Sequence, residues 1–248
     1  MEDSLNWAMK FDSCKYSNRL LDKLILLNEE RLAEDAIDIR EIQKAIYYAK
    51  KYHGDQKRQS GEPYYTHPLE VAYMLAEYSA KEDRRYFRTD LLVSAILHDT
   101  IEDTDLTFEM IEQLFGEVVA QQVEGLTRVK ARGKITSEEL IDSLLKQGNK
   151  DVLIIKMFDR LHNVQTINAK SPEKIKKIID ETIRVFLLLS LYLDMPRITN
   201  ILLEFCYEHL HTKQNIYSLV DIHSVFVTNN YQLPSRVPQN DANQTGSL

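Results

Sequence analysis

The stretch ILHDTIEDTD, residues 96–105, ends an apolar run, LLVSAIL at 91–97, with one histidine and four carboxylates. Like charges this dense repel one another, so water, a basic neighbour or a cation must offset them. The apolar run reads as a buried helix, which sets the polar groups at the end of a core element. The fold class follows from there. Only 7 glycines and 6 prolines interrupt 248 residues, which favours long helices over strands and turns. Apolar residues make up 44% and charged residues 28%, a balance with ample material for a core.

The remaining helices are legible by period. Residues 34–52 carry Ile39, Ile42, Ile46 and Ala49 on one face, and His53-Gly54 ends them. The polar stretch 55–63 reads as a loop, and a helix with Val71, Leu75 and Tyr78 on one side follows Pro68. Thr107 is expected to cap a helix. Residues 128–139 read as a polar loop with Ser137 as the next N-cap. Residues 151–167 show an apolar stripe at 153, 154, 157, 158, 161 and 164. Ser171-Pro172 opens a helix to about Asp194; Pro196 breaks it, and a last helix runs to about His209. Residues 1–33 are expected to form an N-terminal helical segment, 196–228 a C-terminal helical extension and 229–248 a disordered tail.

Net charge is −7, which weighs against nucleic acid as a partner, since phosphate binding needs a basic surface. Two cysteines, Cys14 and Cys206, make neither a disulfide framework nor a CxxC metal site, so a reducing compartment is expected. The N-terminus is too polar for a signal peptide. The longest apolar run, VFLLLSLYL at 185–193, falls well short of the ~20 residues that span a bilayer. A cytoplasmic protein without a membrane partner is therefore expected. Its oligomeric state, a homo-oligomer included, is left open.

Chemistry gathers in three places. On a helix Asp99 shares a face with Glu102 and Asp103. His98 and Asp99 lie about 100° apart on such a helix, so both reach one ion only if the helix ends there. A second group, Asp159 with His162 and Asn163, follows the apolar LIIKMF, and a third, YYTHP at 64–68, offers His67 at a helix start. Imidazole and carboxylate donors together suit a divalent cation. Such an ion lowers the pKa of water and polarises a phosphoryl oxygen. Carboxylates left over as non-ligands, Glu102 and Asp103 first among them, can then move protons.

The segments HD at 98–99, ED at 102–103 and DRLHN at 159–163, preceded by RQSGEPYYTHP at 58–68, resemble the hydrolase domain of the RelA/SpoT alarmone enzymes, members of the HD superfamily of metal-dependent phosphohydrolases. The resemblance covers about residues 40–195 and rests on four motifs in order. It implies an all-α fold, an HD-domain helical bundle with a single core, over 34–195. It also implies a bound Mn2+ and removal of pyrophosphate from the ribose 3′ position of ppGpp or pppGpp, giving GDP or GTP. Carried over motif by motif, the metal ligands fall on His67, His98, Asp99 and Asp159. The catalytic acidic pair falls on Glu102 and Asp103, and the nucleotide contacts fall on Arg58, Ser60, Asn163 and Thr166.

Two departures bear on substrate. Gln59 stands where the family usually has lysine, and Gln165 where it often has arginine, so two charges near the nucleotide are missing. A second reading therefore keeps the metal site and changes the nucleotide, to NADPH for example. A third is a catalytically silent alarmone-binding module, against which stands the presence of every ligand. A chain ending at 248 also leaves no room for a synthetase domain, so a stand-alone hydrolase is expected. His53 and His162 are read as structural or as hydrogen-bond partners behind the ligands, and Arg160 as one half of an ion pair. Arg128, Lys130, Arg132 and Lys134 are read as a solvated loop, with a mobile cover that attracts pyrophosphate as the alternative.

Overall fold

A computed structural model of the chain describes residues 2–29, 35–130 and 133–211. The expected tail at 229–248 and most of the expected extension beyond 211 lie outside the described residues. The described chain is almost wholly helical, as expected. Its helices are α1 (Glu2–Lys10), α2 (Lys15–Glu29), α3 (Ile39–His53), α4 (Thr66–Lys81), α5 (Thr89–Leu97), α6 (Thr100–Asp103), α7 (Phe108–Phe115), α8 (Glu117–Leu126), α9 (Ser137–Gln147), α10 (Lys150–Gln165), α11 (Pro172–Glu181), α12 (Leu187–Tyr192) and α13 (Pro196–His211). No helix among the described residues is long and apolar enough to cross a membrane.

The opening run is α5, and every residue from Leu91 to Leu97 is buried. A helix apolar on all sides must lie inside the molecule. It packs against α3, α4 and α8, and α10 packs against α4 and α8. The six-residue stripe read from 151–167 is too narrow, because α10 also buries Val152, Ile155, Lys156, Arg160 and His162. It too is a central helix. Gln122 of α8 ties the two centres together: it accepts from Ser94 Oγ at 2.7 Å and donates toward Asp90 and Asp151 at 3.2 and 3.3 Å. Ile198 and Leu202 bring α13 into the same core.

Several boundaries differ from the sequence reading, each for a local reason. Helix α4 starts at Thr66 rather than after Pro68, which places Pro68 in the first turn, where its missing N–H has no partner to lose. The N-cap of α9 is Thr136, not Ser137. Thr136 Oγ accepts from Glu139 N and Glu139 returns a bond to Thr136 N, a capping box that Ser137 cannot form because its third residue onward is Leu140. The expected single helix to Asp194 is interrupted by a π turn, Thr182–Phe186. Asp194 then stops it in the left-handed region at φ 55°, and Pro196 opens α13. The loop after α8 holds a small antiparallel hairpin, β1 (Val129–Lys130) paired with β2 (Gly133–Lys134). Cys206 sits beside Ile167 and Ile179 in a satellite cluster, and burial pushes its thiol up to about 12.

Candidate metal centre

Helix α5 ends at Leu97, the condition the sequence set for His98 and Asp99 to reach one point. His98 is its C-cap and Asp99 the N-cap of the short α6. The break swings both side chains to one side. His67 comes from the first turn of α4 and Asp159 from the middle of α10. One ligand atom from each of His67, His98 and Asp159 lies within 4.8 Å of the others. Asp99 closes the group: its Oδ1 is 3.1 Å from His98 Nε2 and its Oδ2 is 3.6 Å from His67 Nε2. Asp159 Oδ1 is 3.1 Å from His67 Nε2 and 3.9 Å from His98 Nε2.

The donor set fits a divalent ion on its own geometry. His98 Nδ1 lies 2.8 Å from the carbonyl of Ala95, which only accepts, so the proton of the neutral ring is on Nδ1 and Nε2 carries the lone pair. That buried Nε2 has no hydrogen-bond partner among the described residues. Burial opposes charge on His98, yet the Asp99 and Asp159 carboxylates push it up to about 8. Those carboxylates favour a positive charge at Nε2, and a metal cation meets the same demand. Burial also lowers His67. Burial would raise both aspartates, but His98 holds Asp99 well below the usual carboxylate range, and Lys156 with His67 does the same for Asp159. Lys156 Nζ sits 2.7 Å from Asp159 Oδ2, and Asn163 Nδ2 donates to Oδ1 at 2.7 Å.

Glu102 and Asp103 stand in different environments. Glu102 is clamped by the hairpin: Arg128 donates from its backbone N and its guanidinium, both at 3.1 Å, and Lys134 Nζ lies at 2.6 Å. Despite partial burial, these cations lower its carboxyl. Asp103 goes the other way, raised by burial and by the charge of Asp99, with the Tyr64 hydroxyl donating to it at 2.9 Å. Burial and the same two aspartates raise Tyr64, so it stays a donor.

The cluster opens into a cavity of about 510 Å3 lined by Arg58, Gln59, Glu102, Asp103, Asn163 and a row of lysines, 170, 174 and 177. Ser60 and Thr166, the other two expected nucleotide contacts, are not among its lining residues. Ser60 lines a neighbouring depression and donates to Glu62, while Thr166 accepts from Arg58 at 3.1 Å. Arg160 pairs with Glu181 at 2.6 Å, as expected. His162 lies behind His67, the two Nδ1 atoms 2.7 Å apart, and burial with His67 and Arg58 pushes it down to about 3. The sequence reading passed over Lys156, Tyr64 and the lysine row. A lone lysine inside LIIKMF and the i, i+4, i+7 spacing of 170, 174 and 177 were the available signals.

A family model described as HD domain matches residues 45–195. A guanosine-3′,5′-bis(diphosphate) 3′-pyrophosphohydrolase of Aquifex aeolicus is 40% identical over 70% of this chain and 24% of its own. The bifunctional (p)ppGpp synthase/hydrolase SpoT of Escherichia coli K12 is 36% identical over 77% of this chain and 27% of its own. The chain thus spans about a quarter of the length of these relatives. A solved structure described as a metazoan ortholog of SpoT that hydrolyses ppGpp aligns at TM-score 0.45 and 20% identity, over 77% of this chain and 96% of that one. With a histidine-aspartate pair at the end of a buried helix and a matching model over most of the fold, the chain belongs to the HD domain family.

Proposed function

We propose that this chain hydrolyses the 3′-pyrophosphate of ppGpp or pppGpp, releasing pyrophosphate and GDP or GTP, with Mn2+ held by His67, His98, Asp99 and Asp159. The observation that carries this reading is the convergence of those four side chains from three distant segments, with the lone pair of His98 turned into the cluster. The relatives' names support the substrate. Two imidazoles and two carboxylates are a donor set that Mn2+ accepts.

When bound, a divalent ion lowers the pKa of water and polarises a phosphoryl oxygen. The chain's own residues do the rest. Asp103, raised and facing the cavity, accepts the proton that the attacking water loses, and Tyr64 steadies its carboxylate. Glu102 stays ionised against Arg128 and Lys134 and orients the water. Arg58 and the lysine row draw the anionic nucleotide into the cavity.

The test is pyrophosphate release from ppGpp by purified protein with Mn2+, with Asp99→Ala as the control. Absence of release by the unaltered chain overturns the proposal. Gln59, in the cavity wall where the family usually has lysine, favours a second reading in which another phosphorylated nucleotide such as NADPH is preferred. Both substrates in one reaction discriminate the two.

A further inference from the structure

We propose that His162 is a positioning residue: its Nδ1 accepts the Nδ1–H of His67 and so holds the ring with Nε2, the nitrogen left for a cation, toward Asp99 and Asp159. The inference rests on the reading of the cluster as a metal site. Two groups approach His162 Nδ1, His67 Nδ1 at 2.7 Å and an Arg58 guanidinium nitrogen at 3.4 Å. A guanidinium has only donors, so His162 Nδ1 has to be the acceptor. The short contact with His67 then needs a proton on His67 Nδ1, which leaves Nε2 as the ring nitrogen that faces the aspartates.

That Nε2 lies 3.1 Å from Asp159 Oδ1, at hydrogen-bond distance, and 3.6 Å from Asp99 Oδ2. Asp159 only accepts, so with no ion present a proton on Nε2 meets it, and a cation that displaces this proton meets the same two carboxylates. The same design serves the other imidazole, where the Ala95 carbonyl holds His98. Metal-ligating histidines generally donate their second N–H to an acceptor of this kind. A neutral imidazole in that place adds no further negative charge to a site with two aspartates. His162 follows Asp159 by three residues, so one turn of α10 supplies both an ion-facing oxygen and the acceptor behind the opposite ligand.

Asparagine places its side-chain oxygen close to the Nδ1 of histidine, and Arg58 would turn that oxygen toward His67. Leucine fills the space without an acceptor. Calorimetric titration of the full chain with Mn2+ is expected to show His162→Leu weakened ~10- to 100-fold and His162→Asn within a few-fold of the unaltered chain. A packing role alone predicts the opposite order, since leucine keeps the apolar bulk. Long-range proton–nitrogen spectra of the metal-free, unaltered chain with labelled histidine are expected to show the His67 proton on Nδ1 and none on His162 Nδ1. Equal affinity for His162→Leu, a better result for leucine than asparagine, or a proton on His162 Nδ1 overturns the assignment. The spectra use the unaltered chain and decide the matter even where a variant does not fold. If the unaltered chain binds no Mn2+, the metal site itself falls, a distinct outcome.

Discussion

Asp103 and Glu102 are one residue apart, yet the structure gives them opposite electrostatic settings. Asp103 is raised by burial and by Asp99, while the Tyr64 hydroxyl pulls it down. A base must be ionised to take a proton, so turnover should fall as pH drops through the Asp103 value. Tyr64→Phe removes the one lowering hydrogen bond from a side chain. The acid limb of kcat against pH is therefore expected to move to higher pH, with activity near the plateau largely kept. An unmoved limb assigns the proton to another group. Asp103→Asn is expected to lower kcat by ~10^2- to 10^4-fold, the usual worth of a positioned base, in the same pyrophosphate assay. The sequence placed this pair on a helix face with Asp99 but could not rank its members. Their difference comes from Tyr64, 39 residues before Asp103, and from Arg128, 26 residues after Glu102. Burial and partners of that kind are set by tertiary contacts, not by spacing.

Among the elements, α5 and α10 were legible because their apolar runs end in charges, and a buried helix that stops abruptly has to present those charges to something. The hairpin was not. Its strands are two residues each, too short for an alternating pattern, and Lys134 of β2 pairs with Glu102, which lies outside the segment. The tie between α5, α8 and α10 was equally hidden, since a glutamine on a helix reads as solvent-facing until its neighbours are known. Gln122 is buried, and Ser94 beside it is fully so. Gln122→Leu deprives the Ser94 hydroxyl of its acceptor and removes a donor from Asp90 and Asp151. It is expected to cost ~1–3 kcal/mol, read as a lower urea midpoint at unchanged slope. At α9, Thr136→Ala breaks the capping box for ~1 kcal/mol by the same measurement. Gly125 of α8 has no room for a large side chain, because a Cβ there meets Val152 Cγ2 at 3.2 Å. Gly125→Leu should force α8 away from α10 at a cost of ~1–3 kcal/mol.

At the scale of the whole molecule, a net charge of −7 weighs against nucleic acid as a partner, while the proposed small anionic nucleotide depends on where the cations lie. A group of cations lines one cavity: Arg58 with Lys170, Lys174 and Lys177, and Arg128 and Lys134 on Glu102. Lys170 is lowered by burial and by Arg58 and Lys174, the mark of like charges held together. Such a field focuses on the cavity and attracts an anion over a distance of about the Debye length, ~10 Å at 0.1 M salt. It acts on capture and leaves the chemical step alone. Raising ionic strength from ~0.05 to ~0.5 M is therefore expected to raise KM for ppGpp several-fold with kcat almost unchanged. The triple change Lys170→Ala, Lys174→Ala and Lys177→Ala should raise KM at low salt and flatten its salt dependence, with Mn2+ affinity preserved because none of the three touches the His67, His98, Asp99 and Asp159 group. Sequence composition sums the charges over the chain, whereas the ligand meets only those within a Debye length of the cavity. A salt slope as steep in the triple variant as in the unaltered chain would move the anion's approach to the hairpin side, where Arg128 and Lys134 already hold Glu102.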